Sequence, residues 1–344
     1  MKYKLYSKTK KFLDAVWQDI KNAKTSIYIE MYIFSDANGK YDFTELLIKK
    51  ANEWVEILLI VDAIGSRELK KESIAKMKKA WIDFNFFSDR LRRTHRKIII
   101  IDKEIGYFGW SNMKASVLHW LDLQIRIRGK RIIRPLTRTF VRTYKMCGGK
   151  NEKILKQYKK GILKKIKTFF IESFPGHKMY SLTDYYKEKI ITAKKYIKIT
   201  TPYFIPPRWL IALLDDAKKR GVIVEIIIPQ DTDIKILNKI NYHYINELLD
   251  LGIHFYVINK MNHAKVMIVD DEEVIIWSQN IDRLSFNHNY EAGGIFKQKK
   301  IVHNLVTLFD DRKRQSQWYK KTNIRLSIWD KIIGQCLKLF FYFI

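Results

Sequence analysis

Two copies of one pattern of reactive side chains occur in the chain. In each copy a histidine is followed by a lysine two positions later, an aspartate seven positions later and an asparagine 17 positions later. The first copy is His95, Lys97, Asp102 and Asn112, and the second is His263, Lys265, Asp270 and Asn280. The identical spacing of both copies predicts one half-site in each half of the 344-residue chain.

The pattern suits chemistry at a phosphodiester. On an extended strand, residues two positions apart point the same way, so the histidine and lysine of each copy converge. The asparagine adds a neutral donor, and such donors stabilise the charge on phosphoryl oxygens without a metal ion or another cofactor. Two histidines allow a two-step displacement, in which one attacks phosphorus and the other moves protons. We interpret the other six histidines, which lack this spacing, as structural or solvated.

The elements that must position these residues are also duplicated. Residues 20–34 and 190–204 each combine a polar helix end with an alternating strand, and residues 43–51 and 210–217 have helical spacing. The apolar runs that begin at Val55 and Val222 are typical of buried parallel strands. A further helix and strand follow near 70–87 and 234–257. This order predicts a duplicated α/β sheet with helices on both faces.

Composition limits the setting of the site. The hydrophobic content of 47% predicts a folded protein, and the two cysteines, Cys147 and Cys336, indicate a reducing compartment. The basic, interrupted residues 1–11 and the lack of 18 consecutive apolar residues predict neither secretion nor a membrane span. A net charge of +29 favours phosphate-rich polymers or anionic lipid as partners, although a compositional bias towards lysine explains part of it.

The chain resembles the phospholipase D superfamily, and within it the bacterial cardiolipin synthases. The resemblance runs from about residue 12 to 304. Besides both motifs it includes IYIEMYIF at Ile27, VDAIGS at Val61, WLDLQIRIRG at Trp120, TPYFIPPR at Thr201 and NIDRLSFNHNYEAG at Asn280. It implies two tandem phospholipase D-like α/β/α sandwich halves, related by a pseudo-twofold axis, with one active site at their interface.

The resemblance also implies roles for individual residues. His95 would be the nucleophile and His263 the acid and base. The phosphate would be held by Lys97, Lys265, Asn112 and Asn280. Asp102 and Asp270 would secure the architecture of the motif, while Asp122 and Glu291 match acidic positions that orient the histidines. A carboxylate bound to the second ring nitrogen would fix the tautomer.

Domain boundaries follow from the repeat. We expect a first half at 1–135, a basic connecting segment at 136–177, a second half at 178–310 and an amphipathic tail at 311–344. Residues 130–177 show no copy of the repeat. Residues 332–344, IIGQCLKLFFYFI, suit either docking into a membrane interface or a buried terminal helix.

Four tryptophans stand where the family has glycine or serine. Trp54, Trp81 and Trp277 occupy the slots of Gly221, Gly252 and Gly109 in the other half, and Trp110 precedes the Ser-Asn pair. We expect steric strain at these turns, and a pocket narrowed by Trp110 and Trp277 that would place activity in doubt. We hypothesise that some of these tryptophans are UGA codons that the organism decodes as glycine.

Three functions of different class fit the sequence. The leading one is a phosphatidyl transferase that makes cardiolipin from phosphatidylglycerol, bound peripherally at the cytoplasmic face of the bacterial cell membrane, with no obligatory nucleic acid and no protein partner. The second is a phospholipase D-type hydrolase or nuclease, for which the charge of +29 would bind nucleic acid. The third is a non-catalytic lipid-binding protein, supported only by the tryptophans.

Overall fold

The computed structural model describes residues 2–36, 40–159, 169–175 and 181–320. The chain divides into two compact units, Met1–Phe170 and Ile171–Ile344. One mixed sheet forms the centre of each unit. The expected tail at 332–344 lies outside the described residues.

The first unit begins with an antiparallel edge strand and then alternates helices and parallel strands. Its strands are β1 (Lys2–Lys8), β2 (Ser26–Met31), β3 (Glu56–Asp62), β4 (Asp83–Phe87), β5 (Lys97–Ile101), β6 (Ile105–Gly109) and β7 (Leu121–Arg128), and its helices are α1 (Thr9–Lys21), α2 (Phe43–Asn52), α3 (Lys71–Lys79), α4 (Lys130–Met146) and α5 (Glu152–Lys159). The sheet order is β1-β7-β6-β5-β2-β3-β4. Strands β2, β3 and β4 are parallel, and the remaining pairs are antiparallel.

Alternating side chains of β2 show how the first sheet is covered. Ile27 and Ile29 are buried in one core with residues of α1 and α2. Tyr28, between them, stacks on Phe140 of α4 with ring centroids 5.3 Å apart. Since successive residues of a strand point to opposite faces, the sheet carries helices on both sides. Apolar residues on both faces of β2 therefore produce the α/β/α layering that the sequence predicts.

The second unit repeats this order. Its strands are β8 (Phe170–Ser173), β9 (Tyr196–Thr200), β10 (Ile223–Pro229), β11 (His254–Ile258), β12 (Val266–Val269), β13 (Glu273–Trp277), β14 (Glu291–Phe296) and β15 (Gln317–Trp318), and its helices are α6 (Leu182–Thr192), α7 (Arg208–Lys219), α8 (Lys235–Leu249), α9 (Arg283–Asn287) and α10 (Lys299–Arg314). The sheet order is β15-β11-β10-β9-β12-β13-β14-β8, with β9, β10 and β11 parallel. Ile197 and Ile199 belong to the core that α6, α7 and α8 cover, whereas Lys198 lies over Phe309 of α10.

The fold class of the prediction is confirmed, with one difference in the repeat. Helix α4 follows β7 in the first unit as α10 follows β14 in the second. The expectation that residues 130–177 lack a repeat counterpart is therefore wrong for α4. Helix α4 also crosses the expected boundary between 135 and 136, and α10 crosses the one between 310 and 311. The domain boundaries stay predictions.

Two of the four tryptophans adopt a backbone conformation that favours glycine. Trp54 and Trp81 have φ angles of 64° and 63°, and Gly221 and Gly252, their counterparts, have φ angles of 84° and 77°. Both indole rings are almost fully exposed, at 94% and 93%. Left-handed backbone costs a residue with a Cβ about 1–2 kcal/mol. The expected strain is therefore present in the backbone of both turns.

None of the helices in the described part of the chain is both long enough and apolar enough to cross a bilayer.

Candidate active site

Both His-x-Lys motifs lie at the carboxyl edge of their parallel strands. In the first unit β5 starts beside the end of β2, where Lys97 pairs with Met31. In the second unit Val266 pairs with Thr200, which places Lys265 just beyond the end of β9. Ligand sites of open α/β sheets occur at this edge, where loops rather than strands surround the site.

The histidine and lysine of the first unit are buried and close together. Lys97 Nζ donates to the backbone oxygen of His95 at 2.7 Å. The same ammonium lies 5.1 Å from the ring centroid of Tyr32, and that ring meets the imidazole of His95 edge to face, with centroids 4.8 Å apart. Tyr32 therefore contacts both residues of the motif. A cation over an aromatic face is attracted by its negative π surface, so Tyr32 helps to hold the ammonium group of Lys97 in place.

Asn112 is held by the backbone that follows β2. Its side-chain oxygen accepts a hydrogen bond from Ile33 N at 3.2 Å, and Met113 N donates to Ile33 O at 3.1 Å. Since its oxygen is engaged, the amide NH2 group is the part of Asn112 that can donate to a phosphate oxygen. Asn112 therefore joins His95 and Lys97 at the same edge of the sheet.

The second unit holds its three residues in a related way. Lys265 Nζ lies 3.0 Å from the backbone oxygen of His263 and 3.2 Å from His263 Nε2. When the lysine is charged, it donates to Nε2, and this favours the tautomer with the proton on Nδ1. The side-chain oxygen of Asn280 is buried and has no hydrogen-bond partner among the described residues. This oxygen can only accept a hydrogen bond, so the NH2 group is the part of Asn280 that could donate to a phosphate oxygen.

Asp102 and Asp270 lie at the other end of the motif strands, away from their histidines. Asp102 accepts hydrogen bonds from the backbone N–H groups of Lys24, Thr25 and Ser26, at 2.7–3.1 Å. Burial alone would raise the pKa of Asp102, but these N–H donors outweigh it and lower the pKa. The carboxylate thus ties the end of β5 to the start of β2.

Asp270 repeats these contacts in the second unit. It accepts from the backbone of Lys194, Lys195 and Tyr196 at 2.7–3.1 Å. Both aspartates have φ angles near 54°, a conformation that aspartate tolerates better than most residues. These contacts support the architectural role implied by the family resemblance.

The two acidic residues expected to orient the histidines are both buried. Asp122 Oδ1 accepts from Leu123 N at 2.8 Å, and Glu291 accepts from the hydroxyl of Ser278. Ser278 Oγ in turn accepts from Ala292 N at 3.0 Å. Glu291 is therefore held in a buried polar cluster on β14, close to the strand end that carries Asn280. The orientation of the histidines by these acids stays a prediction.

The loop with the sequence VDAIGS, at the end of β3, contacts the residues around the first site. Asp62 accepts from Thr94 N at 2.9 Å, directly before His95. Ser66 Oγ donates to Tyr32 O at 3.0 Å. A Cβ at Gly65 would lie 2.3 Å from that same oxygen, so only glycine lets the loop approach Tyr32. Burial raises the pKa of Asp62, against the effect of its N–H donors. The phrase VDAIGS was the available signal for this support.

Asp282 is a further charged residue close to the second site, and no part of the repeated motif marks it. It caps α9, accepting from Ser285 N at 2.7 Å, two residues after Asn280. Burial, helped by the nearby charge of Glu291, raises its pKa to about 6, although the Ser285 hydrogen bond and the charge of Lys265 oppose the shift. Its counterpart in the first unit is Lys114, which pairs with Glu68 at 2.7 Å. The two units therefore differ in charge directly after their asparagines.

The volume of Trp277 is accommodated in the core of the second unit. Its ring lies 4.6 Å from that of Tyr186, on α6. Across the sheet it pairs with Gly293, where a Cβ would lie 2.8 Å from the Cβ of Trp277. In the first unit the small and the large residue change places, because Gly109 of β6 pairs with Gln124 of β7. The expected crowding of the site by Trp277 is therefore not what the structure shows.

Trp110 is also fully buried, and its indole N–H has no hydrogen-bond partner among the described residues. With its amide oriented so that the oxygen accepts, Gln124 binds the backbone N–H groups of Trp110 and Ser111. This contact fixes the turn that leads into Asn112. The orphaned indole N–H costs about 1–3 kcal/mol, which is consistent with a position that prefers a smaller residue.

Comparison with known proteins identifies the family of the chain. Residues 16–144 and 186–313 match the family model described as cardiolipin synthase, PLD-like domain. A cardiolipin synthase of Oceanobacillus iheyensis is 32% identical over 337 residues, covering 92% of this chain and 69% of the relative. A probable cardiolipin synthase of Bacillus subtilis is 29% identical, covering 88% of this chain and 64% of the relative. The chain thus spans about two thirds of the length of these relatives.

Solved structures agree on the fold. The phosphatidylserine synthase of Haemophilus influenzae superposes with a TM-score of 0.75 at 16% identity, over 99% of this chain and 93% of that one. The polyphosphate kinase of Porphyromonas gingivalis gives a TM-score of 0.65 at 13% identity, over all of this chain and 54% of that one. At these identities the likeness concerns the fold alone. Together with the family model, which covers both motif-bearing segments, these findings show that the chain belongs to the phospholipase D superfamily, in its cardiolipin synthase, PLD-like domain family.

Proposed function

We propose that this protein is a phosphatidyltransferase of the cardiolipin synthase type. It would transfer a phosphatidyl group from one phosphatidylglycerol to a second one and release glycerol. The observation that carries the proposal is the buried His–Lys–Asn set, which occurs in both units at the carboxyl edge of the sheet. Membership of the family supports a phospholipid phosphatidyltransferase, and the names of the relatives specify cardiolipin.

The first step would form a covalent intermediate. A ring nitrogen of His95 attacks phosphorus, a P–N bond forms, and the bond from phosphorus to the glycerol oxygen breaks. His263 donates its proton to the departing oxygen, so that glycerol leaves neutral. His263 must carry this proton when substrate is bound, and Lys265, which lies 3.2 Å from Nε2, would then turn its ammonium towards the phosphate.

The second step would reverse the roles of the groups. His263, now neutral, removes the proton from a hydroxyl of the second phosphatidylglycerol. That oxygen attacks phosphorus, the P–N bond breaks and cardiolipin is released. Water in place of the lipid alcohol would give phosphatidic acid, so exclusion of water decides between transferase and hydrolase.

Four side chains would stabilise the charge on the non-bridging oxygens. They are Lys97, Lys265, Asn112 and Asn280. All four are buried, and a charge–charge interaction is stronger where protein replaces water. Preorganised donors of this kind replace the divalent cation that other phosphoryl transfer enzymes use.

The proposal includes the surface at which the enzyme works. Phosphatidylglycerol is an anionic lipid, and the net charge of +29 favours its headgroup. We place the protein peripherally at the cytoplasmic face of the membrane, with no nucleic acid and no protein partner required. The names of the relatives support a membrane lipid as substrate.

Lipid analysis after incubation with phosphatidylglycerol liposomes tests the proposal. Cardiolipin and glycerol in equal amounts are the expected products. Phosphatidic acid would show a hydrolase, and the absence of any lipid product from a folded, vesicle-bound protein would favour a non-catalytic homologue. Release of nucleotides from added DNA or RNA, without a change in lipid, would instead show the nuclease. The matched control is His95→Ala, which should form none of these products.

A further inference from the structure

The loop between β4 and the first motif has an unusual surface. Leu91 is 74% exposed, more than any other large aliphatic side chain in the described part of the chain. Arg90 beside it is exposed, and Arg92 is half-buried. His95 follows four residues after Leu91, so this surface adjoins the candidate site.

The loop holds Leu91 outward by a defined set of contacts. Asp89 Oδ1 accepts from Leu91 N at 2.9 Å and from Arg92 N at 3.0 Å. Arg93 closes the turn, since one of its guanidinium nitrogens donates to Asp89 O at 2.9 Å and to Arg92 O at 2.7 Å. At its far end the loop is anchored by Thr94, whose backbone N–H binds the buried Asp62. A loop tied at both ends cannot turn Leu91 inward without breaking these bonds.

The second unit has no comparable loop. From the end of β11 at Ile258 to His263 there are four intervening residues, whereas seven lie between Phe87 and His95. The short loop contains Lys260 and the half-buried Met261, and no exposed aliphatic residue. The three additional residues and the Arg-Leu-Arg sequence therefore belong to the first site alone.

We propose that residues 88–94, the Leu91 loop, form a lipid-contacting surface that dips into the membrane interface beside His95. Leu91 enters the acyl region, and Arg90 and Arg92 bind lipid phosphates on either side of it. The partner is an anionic phospholipid surface, and the inference rests on the proposed lipid function.

The chemistry of the loop fits this partner. An aliphatic side chain gains free energy by leaving water for the acyl region. Arginine binds phosphate oxygens through a planar pair of N–H donors, which suits a headgroup layer better than a single ammonium does. The charge cluster alone would fit nucleic acid equally well, but a protruding leucine between the arginines offers nothing to a phosphate backbone. A lipid surface is the partner that uses both features.

The position of the loop gives it a function in the reaction. A phosphatidylglycerol must leave the bilayer far enough for its phosphate to reach His95. Anchoring at the carboxyl edge, directly before the nucleophile, shortens that distance. Anchoring at the opposite edge would not, and this provides the control. Ile191, at the end of α6 and therefore at the amino edge of the second sheet, is 53% exposed.

The test compares Leu91→Ser, the double variant Arg90→Gln/Arg92→Gln, and the control Ile191→Ser. Sedimentation with vesicles of phosphatidylglycerol and phosphatidylcholine measures binding. Turnover of a short-chain phosphatidylglycerol below its micelle concentration measures the site without a membrane. We expect Leu91→Ser and the double variant each to weaken vesicle binding about tenfold, with monomer turnover and melting temperature unchanged. Ile191→Ser should bind as the unmodified protein does.

Several outcomes would overturn the inference. Unchanged vesicle binding of Leu91→Ser alongside weaker binding of the double variant would show a purely ionic surface. Equal losses with monomers and vesicles would show a structural role for the loop. Weaker binding of the double variant to single-stranded DNA but not to vesicles would assign the arginines to nucleic acid. If the unmodified protein makes no cardiolipin, the proposed function fails, yet the sedimentation result still decides the role of the loop.

Discussion

Lys97 and Lys265 occupy equivalent positions but have different neighbours. Lys97 binds the backbone of its histidine and lies over the ring of Tyr32, whereas Lys265 lies 3.2 Å from the imidazole nitrogen of its histidine. The position of Tyr32 in the repeat belongs to Pro202 in the second unit, so no aromatic ring can cover Lys265 from there. The same three residue types are thus held in two environments.

The contact between Lys265 and Nε2 suits the role proposed for His263, which donates and accepts protons. In the first unit the lysine contacts an aromatic ring and a backbone oxygen. His95 also lies beside the Leu91 loop, the surface proposed to contact lipid. The assignment of His95 as nucleophile and of His263 as acid and base stays a prediction.

Replacement of each histidine should have the largest effect and should separate the two roles. We expect His95→Ala and His263→Ala each to lower cardiolipin formation by 10³-fold or more, because each removes a group needed in both steps. A phosphodiester with a p-nitrophenyl leaving group needs no proton donor. With that substrate His263→Ala should release one equivalent of nitrophenolate in a burst and retain a covalent adduct. Mass spectrometry of protein denatured at alkaline pH detects the adduct, because the P–N bond of a phosphohistidine hydrolyses in acid.

His95→Ala should show neither the burst nor the adduct. The reverse result, a burst from His95→Ala and none from His263→Ala, would exchange the two assignments. Asn112→Ala and Asn280→Ala provide a reference for general damage to the phosphate site, since neither residue can attack or carry a proton.

Replacement of Asp102 or Asp270 should lower stability by a similar amount in both units. Asp102→Asn and Asp270→Asn should each reduce the free energy of unfolding by about 2 kcal/mol, because charged hydrogen bonds to several backbone N–H groups become neutral. Asparagine tolerates the positive φ at both positions, so the loss reports the charge. Urea denaturation at pH 7 measures it, and Asp216→Asn, whose carboxylate forms an exposed ion pair with Arg220, should change stability by less than about 0.5 kcal/mol.

The loss at Asp102 should depend on pH. The pKa of Asp102 is lower in the folded protein than in the unfolded chain. Its contribution is therefore present above the unfolded pKa and disappears as the pH falls through the folded value. A constant difference between Asp102→Asn and the unmodified protein from neutral pH down to strongly acidic pH would contradict this.

Replacement of Asp282 should raise stability, and only the second unit has an acidic residue at this position. Burial raises its pKa from 3.8 to about 6, so the folded protein holds this proton to higher pH than the unfolded chain does. Ionisation of Asp282 therefore costs stability as the pH rises from about 4 to about 6. Asp282→Asn keeps the helix cap and removes the cost. Relative to the unmodified protein it should gain about 2 kcal/mol between pH 4 and pH 7, in thermal unfolding scans across that range.

Lys114→Gln is the matched variant in the first unit. Lys114 forms an exposed pair with Glu68, so its effect on stability should be small, with no change between pH 5 and pH 7. A pH-independent effect of Asp282→Asn would mean that its carboxyl is solvated.

Much of the fold could be predicted because the repeat is visible in buried positions. The strands that follow Val55 and Val222 are largely apolar, with sequences EILLIVD and IVEIIIP, and so the repeat is recognisable. The sequence did not reveal helix α4 as part of the repeat, because only some of its residues are buried. Its buried Phe140 matches Phe309 of α10, but its exposed Arg138 matches Thr307, so the similarity of the two helices is hard to recognise in the sequence. Burial restrains one face of such a helix and leaves the other free to change.

The candidate site was predictable only where side-chain types repeat. Histidine, lysine and asparagine recur with fixed spacing, which a single sequence shows. Tyr32 corresponds in the repeat to Pro202, and the aromatic ring that meets His263 is that of the next residue, Tyr203. Tyr32 and Asp62 act through contacts with residues that are far away in the sequence, such as Lys97 and Thr94. No local pattern marks such contacts, since they depend on how the loop folds over the end of β2.

The tryptophans at glycine positions give the smallest expected effect and a direct comparison of the units. Trp54 and Trp81 adopt the left-handed conformation of Gly221 and Gly252. Trp277 differs from them, because Gly293 makes room for it. Among the four tryptophans, left-handed backbone therefore occurs only at the two exposed turns, and at these positions the backbone itself favours glycine.

Trp54→Gly and Trp81→Gly should each stabilise the protein by about 0.5–1 kcal/mol, since relief of left-handed strain exceeds the entropy that glycine adds to the unfolded chain. Gly221→Ala and Gly252→Ala should destabilise it by a similar amount, as measured by melting temperature. Trp318, which is 55% exposed on an extended strand, is the control, and Trp318→Gly should destabilise. A loss of stability in Trp54→Gly and Trp81→Gly like that of the control would show that both turns tolerate tryptophan. UGG codons at positions 54 and 81 would exclude recoding there. The strain would remain, because it depends on the backbone conformation of tryptophan and not on the codon.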